Sequence, residues 1–175
     1  MASYDIFHLC AFIKNNPEYI IYENFNNYID QDENLRKLSD EDKHILYELV
    51  IGDRNGLDSS YKLHGFIVSV FYNDIEKYNN CIKLIYNILK YDINKSNPLT
   101  CVIILTDVLA SNHFILDAEK YIKILLDYGA DPNVVDNNGY SAYDHAKIVD
   151  NKHNLNLHKY IEDYLIPDTK YPGYD

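Results

Sequence analysis

Tryptophan is absent from this 175-residue chain, arginine occurs twice and methionine once, and glycine (six), proline (five) and cysteine (three) are scarce. Each shortage excludes something. So little Gly and Pro rules out a collagen-like or low-complexity chain, and no Pro/Gly/Ser-rich linker divides it. Cys10, Cys81 and Cys101 are odd in number and lack metal-type spacing, so free thiols in a reducing compartment are expected. The longest apolar runs, 66–72 and 101–105, fall far short of the ~20 residues that span a bilayer. The opening residues, MASYDIFHLC, have no basic stretch and no small-residue cleavage site, so no secretory signal is expected.

Positive charge is also short. The chain carries 27 acids against 16 bases, a net charge of −11, and no cluster of Lys and Arg. Phosphate contacts need such clusters, so neither nucleic acid nor an anionic membrane is expected as a partner. The acidic runs at 30–33 and 40–42 are read as solvated faces. What is abundant is ordinary for a globular domain, 47% hydrophobic and 25% charged. The skew to 21 Ile, 20 Asn, 14 Lys and 18 Tyr is that of A/T-rich codons, pointing to genome composition rather than mechanism.

Helical periodicity runs through most of residues 4–165. In 81–91, Cys81, Ile82, Leu84, Ile85, Ile88 and Leu89 fall on one face, with Lys83, Asn87 and Lys90 opposite. In 117–128, Ala118, Ile122, Leu125 and Leu126 point inward, with Glu119, Lys120 and Lys123 outward. Ser39 and Asp42 form a capping-box-like start for a helix over 40–51, whose first-turn acids suit the helix dipole. A helix over 4–15 precedes one over 18–29 that has Pro17 in its first turn. Segment 61–72 mixes β-branched and aromatic residues but finds no partner strand, and is assigned to helix. The breaks fall at 52–56, 94–98, 129–139 and in the last ten residues.

Residues 118–147 carry the strongest pattern. The run Ile122-Lys123-Ile124-Leu125-Leu126 leads to Gly129-Ala130-Asp131-Pro132-Asn133, and Asp136-Asn137-Asn138-Gly139-Tyr140-Ser141-Ala142-Tyr143-Asp144 opens the next unit, with Ala146 small enough for close helix packing. Gly129 is placed where a helix end needs a left-handed residue, Gly139 where a turn does, and Ser141 at an N-cap. This stretch resembles the ankyrin repeat. A fainter echo runs from Ile82-Lys83-Leu84-Ile85 to Asp92-Ile93-Asn94, one residue longer and without the Gly. Pro98-Leu99 then stands where Ala142-Tyr143 stands later, 44 residues on rather than ~33, the excess being assigned to 111–116. Asp53-Arg54-Asn55-Gly56 with Ser59-Ser60 is a possible earlier turn. The family's Thr-Pro-Leu-His opening is replaced by Ser141-Ala142-Tyr143-Asp144 and by Asn97-Pro98-Leu99-Thr100. Losing that His removes bonds between neighbouring turns, so irregular stacking is expected.

The resemblance implies an all-α, ankyrin-type α-solenoid of short helix pairs with degenerate N-terminal repeats. The expected organisation is 1–52 as unassigned or capping helices, 53–165 as divergent repeats, with a terminal pair at 140–149 and 155–165, and 166–175 as tail. Insertion-rich, Tyr/Ile/Asn-heavy members look like those of poxviruses, other large DNA viruses or intracellular bacteria. The F-box-like segment that ends many poxviral members is not expected in so short a tail.

No catalytic pattern competes with this. His8 and Cys10 lie two apart and cannot share a helical face; Cys81 and Cys101 sit on apolar faces. His145, His153 and His158 are spaced by 8 and 5, which does not build a zinc site. No Walker loop, dinucleotide fingerprint, GxSxG or HExxH occurs, and the Asn94-Lys95-Ser96 sequon has no secretory context. The expectation is a non-enzymatic, intracellular protein-binding module, without cofactor or metal, that antagonises a host signalling or antiviral protein if the source is a pathogen. Its partner would be another protein with a basic surface, reached through Asp136, Asn138 and Tyr140 and an earlier tip at Lys95 and Asn97. An enzyme or toxin with its site in residues 1–52, and a self-assembling scaffold, are the alternatives.

Overall fold

The structure, a computed structural model, describes residues 6–52, 67, 68, 70, 71, 74–112 and 116–165. The chain divides into two compact units, Met1–Ser96 and Asn97–Asp175. That boundary falls inside the 53–165 stretch that the sequence treats as one array. Helix is the repetitive structure of the described residues, and the β content is one isolated bridge, Val135 with Ser141. The fold is all-α.

In the first unit, α1 (Ile6–Asn15) buries Leu9, Cys10 and Ile13, which share a face by their i, i+1, i+4 spacing. The helix expected over 18–29 is broken. A 3-10 turn, Pro17–Ile20, starts on proline, Ile21 is extended, and α2 (Tyr22–Ile29) follows, burying Phe25 and Ile29. The break lets the turn and the helix present different faces to α1 and to α3 (Asp40–Gly52). Ser39 opens α3 as expected. Its hydroxyl accepts the Asp42 amide at 3.1 Å and donates to the Asp42 carboxylate at 2.7 Å. Lys43, nearly buried, reaches Asp30 at 2.6 Å and ties α3 to the end of α2.

The next helix starts earlier than its apolar periodicity. α4 (Ile75–Lys83) is capped by Asp74, whose carboxylate accepts the Lys77 amide, and it buries Tyr78 before Cys81 and Ile82. A π-turn, Leu84–Ile88, then inserts one residue. Its i→i−5 bond runs from the Leu89 amide to the Leu84 carbonyl at 2.9 Å, and Lys90 takes φ 58°. The extra residue rotates Ile88 out to solvent, against the expected inward face, while Leu89 stays buried. Of segment 61–72, residues 67, 68, 70 and 71 are helical; its remainder, Gly65 included, and the turn at 53–60 lie outside the described residues.

Among its described residues the second unit has four helices. α5 (Pro98–Ser111) packs on α6 (Ala118–Asp127) and on α7 (Ala142–His153), and α8 (His158–Glu162) packs on both α6 and α7. α6 buries Ala118, Tyr121, Ile122, Leu125 and Leu126. Each fully buried Leu or Ile of this kind contributes about 1.5–3 kcal/mol. The α6 end has the Schellman pattern: Ala130 N–H to Leu125 C=O at 3.0 Å, Gly129 N–H to Leu126 C=O at 2.9 Å, and Gly129 at φ 89°.

A matched pair of substitutions tests these helix ends. A Cβ on Gly129 meets nothing within 4 Å, so the cost of Gly129→Val is backbone strain alone, about 1–2 kcal/mol. Lys90→Gly, at φ 58°, removes the same kind of strain and should stabilise by about 0.5–1 kcal/mol. Urea midpoints that move in these opposite directions confirm the assignment; parallel shifts contradict it.

Candidate functional site

The best-built surface feature is the finger between α6 and α7. Asp131 starts it with an Asx turn, its carboxylate accepting the Asn133 amide at 2.9 Å, and Pro132 is buried beneath. The chain then reverses over Asp136–Tyr140. The Gly139 N–H donates to the Asp136 carbonyl at 3.0 Å, the Asp136 N–H donates to the Tyr140 carbonyl at 2.9 Å, and Gly139 lies at φ 82°. This is a turn closed by a left-handed glycine, as the Asp-Asn-Asn-Gly run requires.

The Asp136 side chain organises it. Oδ1 accepts the Asn138 amide at 2.8 Å and the Tyr140 amide at 3.0 Å, and Oδ2 bonds His145 Nε2 at 3.0 Å. The His145 bond, then the Tyr140 amide, hold the Asp136 carboxyl below the usual carboxylate range. Ser141 closes the finger with a full capping box on Asp144 and places α7 directly after it. Tyr140 lies edge-on to His145, ring centroids 5.7 Å apart, and is 48% exposed.

The expected contact residues fare differently. Asn138 and Tyr140 are exposed, whereas the Asp136 carboxylate is occupied by the finger amides and His145. Asn97 does not stand at a tip. It is 9% exposed at the head of α5, left-handed at φ 43°, its amide reaching the Val134 carbonyl at 3.5 Å. The cause is a missing loop: between Asp92 and Pro98 the chain makes a 3-10 turn, Ile93–Ser96, where the later unit builds a finger. Lys95 lies on that turn, and its side chain is outside the described residues.

No expectation from the sequence covered the exposed apolar residues on the elements around the finger. Ile104 and Val108 on α5, and Ile148 on α7, are exposed, as is Val135 at the finger base. Asp107 fixes the register of the two helices, bonding Lys152 at 2.8 Å and His153 at 2.7 Å. With those bonds spanning 45 and 46 residues, Ile104 and Ile148, 44 apart, hold corresponding places. A signal was present: α5, PLTCVIILTDVLAS, has more apolar residues than one buried face needs.

The three late histidines do not converge; each takes its own aspartate. His145 pairs with Asp136 and His153 with Asp107, while His158 Nδ1 meets the buried Asp150 at 2.5 Å. Asp150 also accepts the Leu157 and His158 amides, which starts α8. His8 is exposed on α1 and Cys10 buried, so they do not share a face. Burial raises the thiol of the buried Cys81 strongly and pushes that of the half-buried Cys101 up to about 11, away from reactive thiolate character. Among the described residues no group of three or more His, Cys, Asp or Glu could hold a metal ion, and no helix is long and apolar enough to cross a membrane. No family model, curated protein or solved structure matches this chain.

The acid limb of stability tests the aspartate bonds. The Lys152 bond first, then His153, hold the Asp107 carboxyl below its usual range, as His145 and the Tyr140 amide do for Asp136. Depressed folded values mean that this stability is present above the unfolded carboxylate pKa of ~4 and is lost as the pH falls through the folded values. In denaturant melts between about pH 2 and 6, Asp107→Asn should flatten that acid-side loss. An acid limb identical to wild type would show that the Asp107 bonds do not contribute.

Proposed function

We propose that this chain is a non-enzymatic protein-binding module built on a short, divergent ankyrin-type array. On this reading α5 with α6, and α7 with α8, are two successive helix pairs, and the 136–140 finger is the turn between them. The packing of α5 on α7 and of α6 on α8 supports it, because stacked repeats bury each helix against its counterpart in the next pair.

The observation that carries the function is the apolar surface beside the finger. Val135, Tyr140, Ile104, Val108 and Ile148 are large apolar side chains left exposed on the finger, α5 and α7. Single exposed apolar residues are ordinary, but five on adjoining elements of one unit mark an interaction surface. The acids around them are already engaged, Asp136 with His145, Asp144 with Ser141 and Asp107 with Lys152. Contact here is therefore apolar, with Asn138 and Tyr140 at the rim. The net charge of −11 still favours a partner with a basic surface over an acidic one. On the resemblance to ankyrin proteins of poxviruses, other large DNA viruses or intracellular bacteria, an intracellular host signalling or antiviral protein is the first partner to test.

Affinity capture from eukaryotic lysate tests the reading, with wild type compared against Asn138→Arg/Tyr140→Ala and Ile148→Asp. These side chains are exposed, so stability should stay within about 0.5 kcal/mol of wild type. Both variants should retain the specific partner about tenfold less well. Equal retention by all three folded proteins would place the binding surface elsewhere.

A further inference from the structure

The corner between the 3-10 turn and α2 has the anatomy of a second binding surface. Residues 18–23 read Glu-Tyr-Ile-Ile-Tyr-Glu, an apolar pair inside two tyrosines inside two glutamates. Ile20 is 53% exposed and Ile21 57%, the two most exposed large apolar side chains among the described residues of the first unit. They are not loosely held. The Tyr47 hydroxyl donates to the Ile20 carbonyl at 2.5 Å, and the Asn24 amide donates to the Glu18 carbonyl at 2.8 Å. On one side Tyr19 packs on Phe12 and Tyr28, each with centroids 5.3 Å away, and those two rings stack at 4.4 Å. On the other, Tyr22 meets His44 and Tyr47 edge-on at 5.2 and 5.0 Å. All these rings but the exposed His44 are half-buried, so part of each reaches the surface.

Glu18 and Glu23 are exposed and make no ion pair among the described residues. Lys43 of α3 and Lys77 of α4 are committed elsewhere, to Asp30 and to Glu48. Over residues 6–52, nine acids stand against four bases. We infer that this corner binds a polypeptide segment carrying Lys or Arg around apolar anchors. The isoleucines take the anchors, the tyrosine rings offer faces to cationic side chains, and the glutamates supply the complementary rim. The acidic rim disfavours anionic lipid. Because the corner is pre-shaped by its hydrogen bonds, little ordering is lost on binding.

The chain has no tryptophan, so a Trp-bearing probe peptide reports binding without background. The probe is an amphipathic peptide of Lys and Leu with one Trp, and its twin has Glu in place of Lys. The basic probe should bind about tenfold or more tighter than the acidic twin, and more weakly as salt is added. Ile20→Ser/Ile21→Ser leaves the charge unchanged, and should weaken the basic probe about tenfold with an unchanged circular dichroism spectrum. Glu18→Gln/Glu23→Gln, which touches no buried group, should weaken it several-fold and reduce the salt dependence. The finger variant Asn138→Arg/Tyr140→Ala should bind the probe as wild type does, so failure of the finger reading and failure of this one are told apart. Equal binding of both probes, or wild-type binding by Ile20→Ser/Ile21→Ser, would overturn the inference. A dimer in sedimentation that this variant dissolves would assign the corner to a second copy of the chain and overturn it too.

Discussion

Short helices need somewhere to stop, and in this chain the stopping geometry decides where everything else lies. The described helices run from five to fourteen residues, lengths at which an isolated helix is marginal in water. Each therefore depends on burying one face, and that face meets its neighbour only if the chain turns at a fixed residue. Gly129 is the clearest case. Its left-handed φ lets two carbonyls of the last turn find amides, and it aims the chain through the buried Pro132 into the finger.

The same device recurs in the first unit with non-ideal residues. Lys90 holds the left-handed position that Gly129 holds later, and the carboxylate of Asp92 accepts the Asn94 amide as that of Asp131 accepts the Asn133 amide. The segment is one residue longer than its counterpart, and the surplus residue is stored as a π-turn. The local chemistry is thus conserved around an insertion while the helix geometry absorbs it. After that point the two stretches part: one closes in a 3-10 turn, the other opens into a finger, and the turn leaves Asn97 covered rather than displayed.

This contrast explains what was legible in the sequence. Features written in a few adjacent residues were readable: Ser39 with Asp42, the Asp-Asn-Asn-Gly turn, Gly129 and the Ser141 cap. Each is fixed by local backbone chemistry. Features that depend on distant packing were not. The start of α4 at Ile75 is hidden because Tyr78 sits among polar residues, and only Asp74 three residues before Lys77 signals the cap. The break at Ile21 follows from two faces needing different directions, which no periodicity shows. On the candidate site, Asn138 and Tyr140 were placed on the finger correctly. Asn97, expected at an earlier tip, is covered because a 3-10 turn replaces the finger there, and the exposed Ile104, Val108 and Ile148 drew no expectation from the sequence.

Charge shows the same division of labour. In the second unit the aspartates of the finger and helices are joinery: Asp136 holds the turn, Asp144 the cap, Asp107 the helix register and Asp150 the start of α8. A carboxylate bonded to two or three donors is a poor attractor for a distant partner, since its field is largely answered within the fold. The unspent acidic charge lies with residues such as Glu18 and Glu23, which hold nothing together. A net charge of −11 is therefore a weak guide to where a partner binds. What counts is which carboxylates the fold has left unanswered, and two of these, Glu18 and Glu23, border the exposed isoleucines of the first unit.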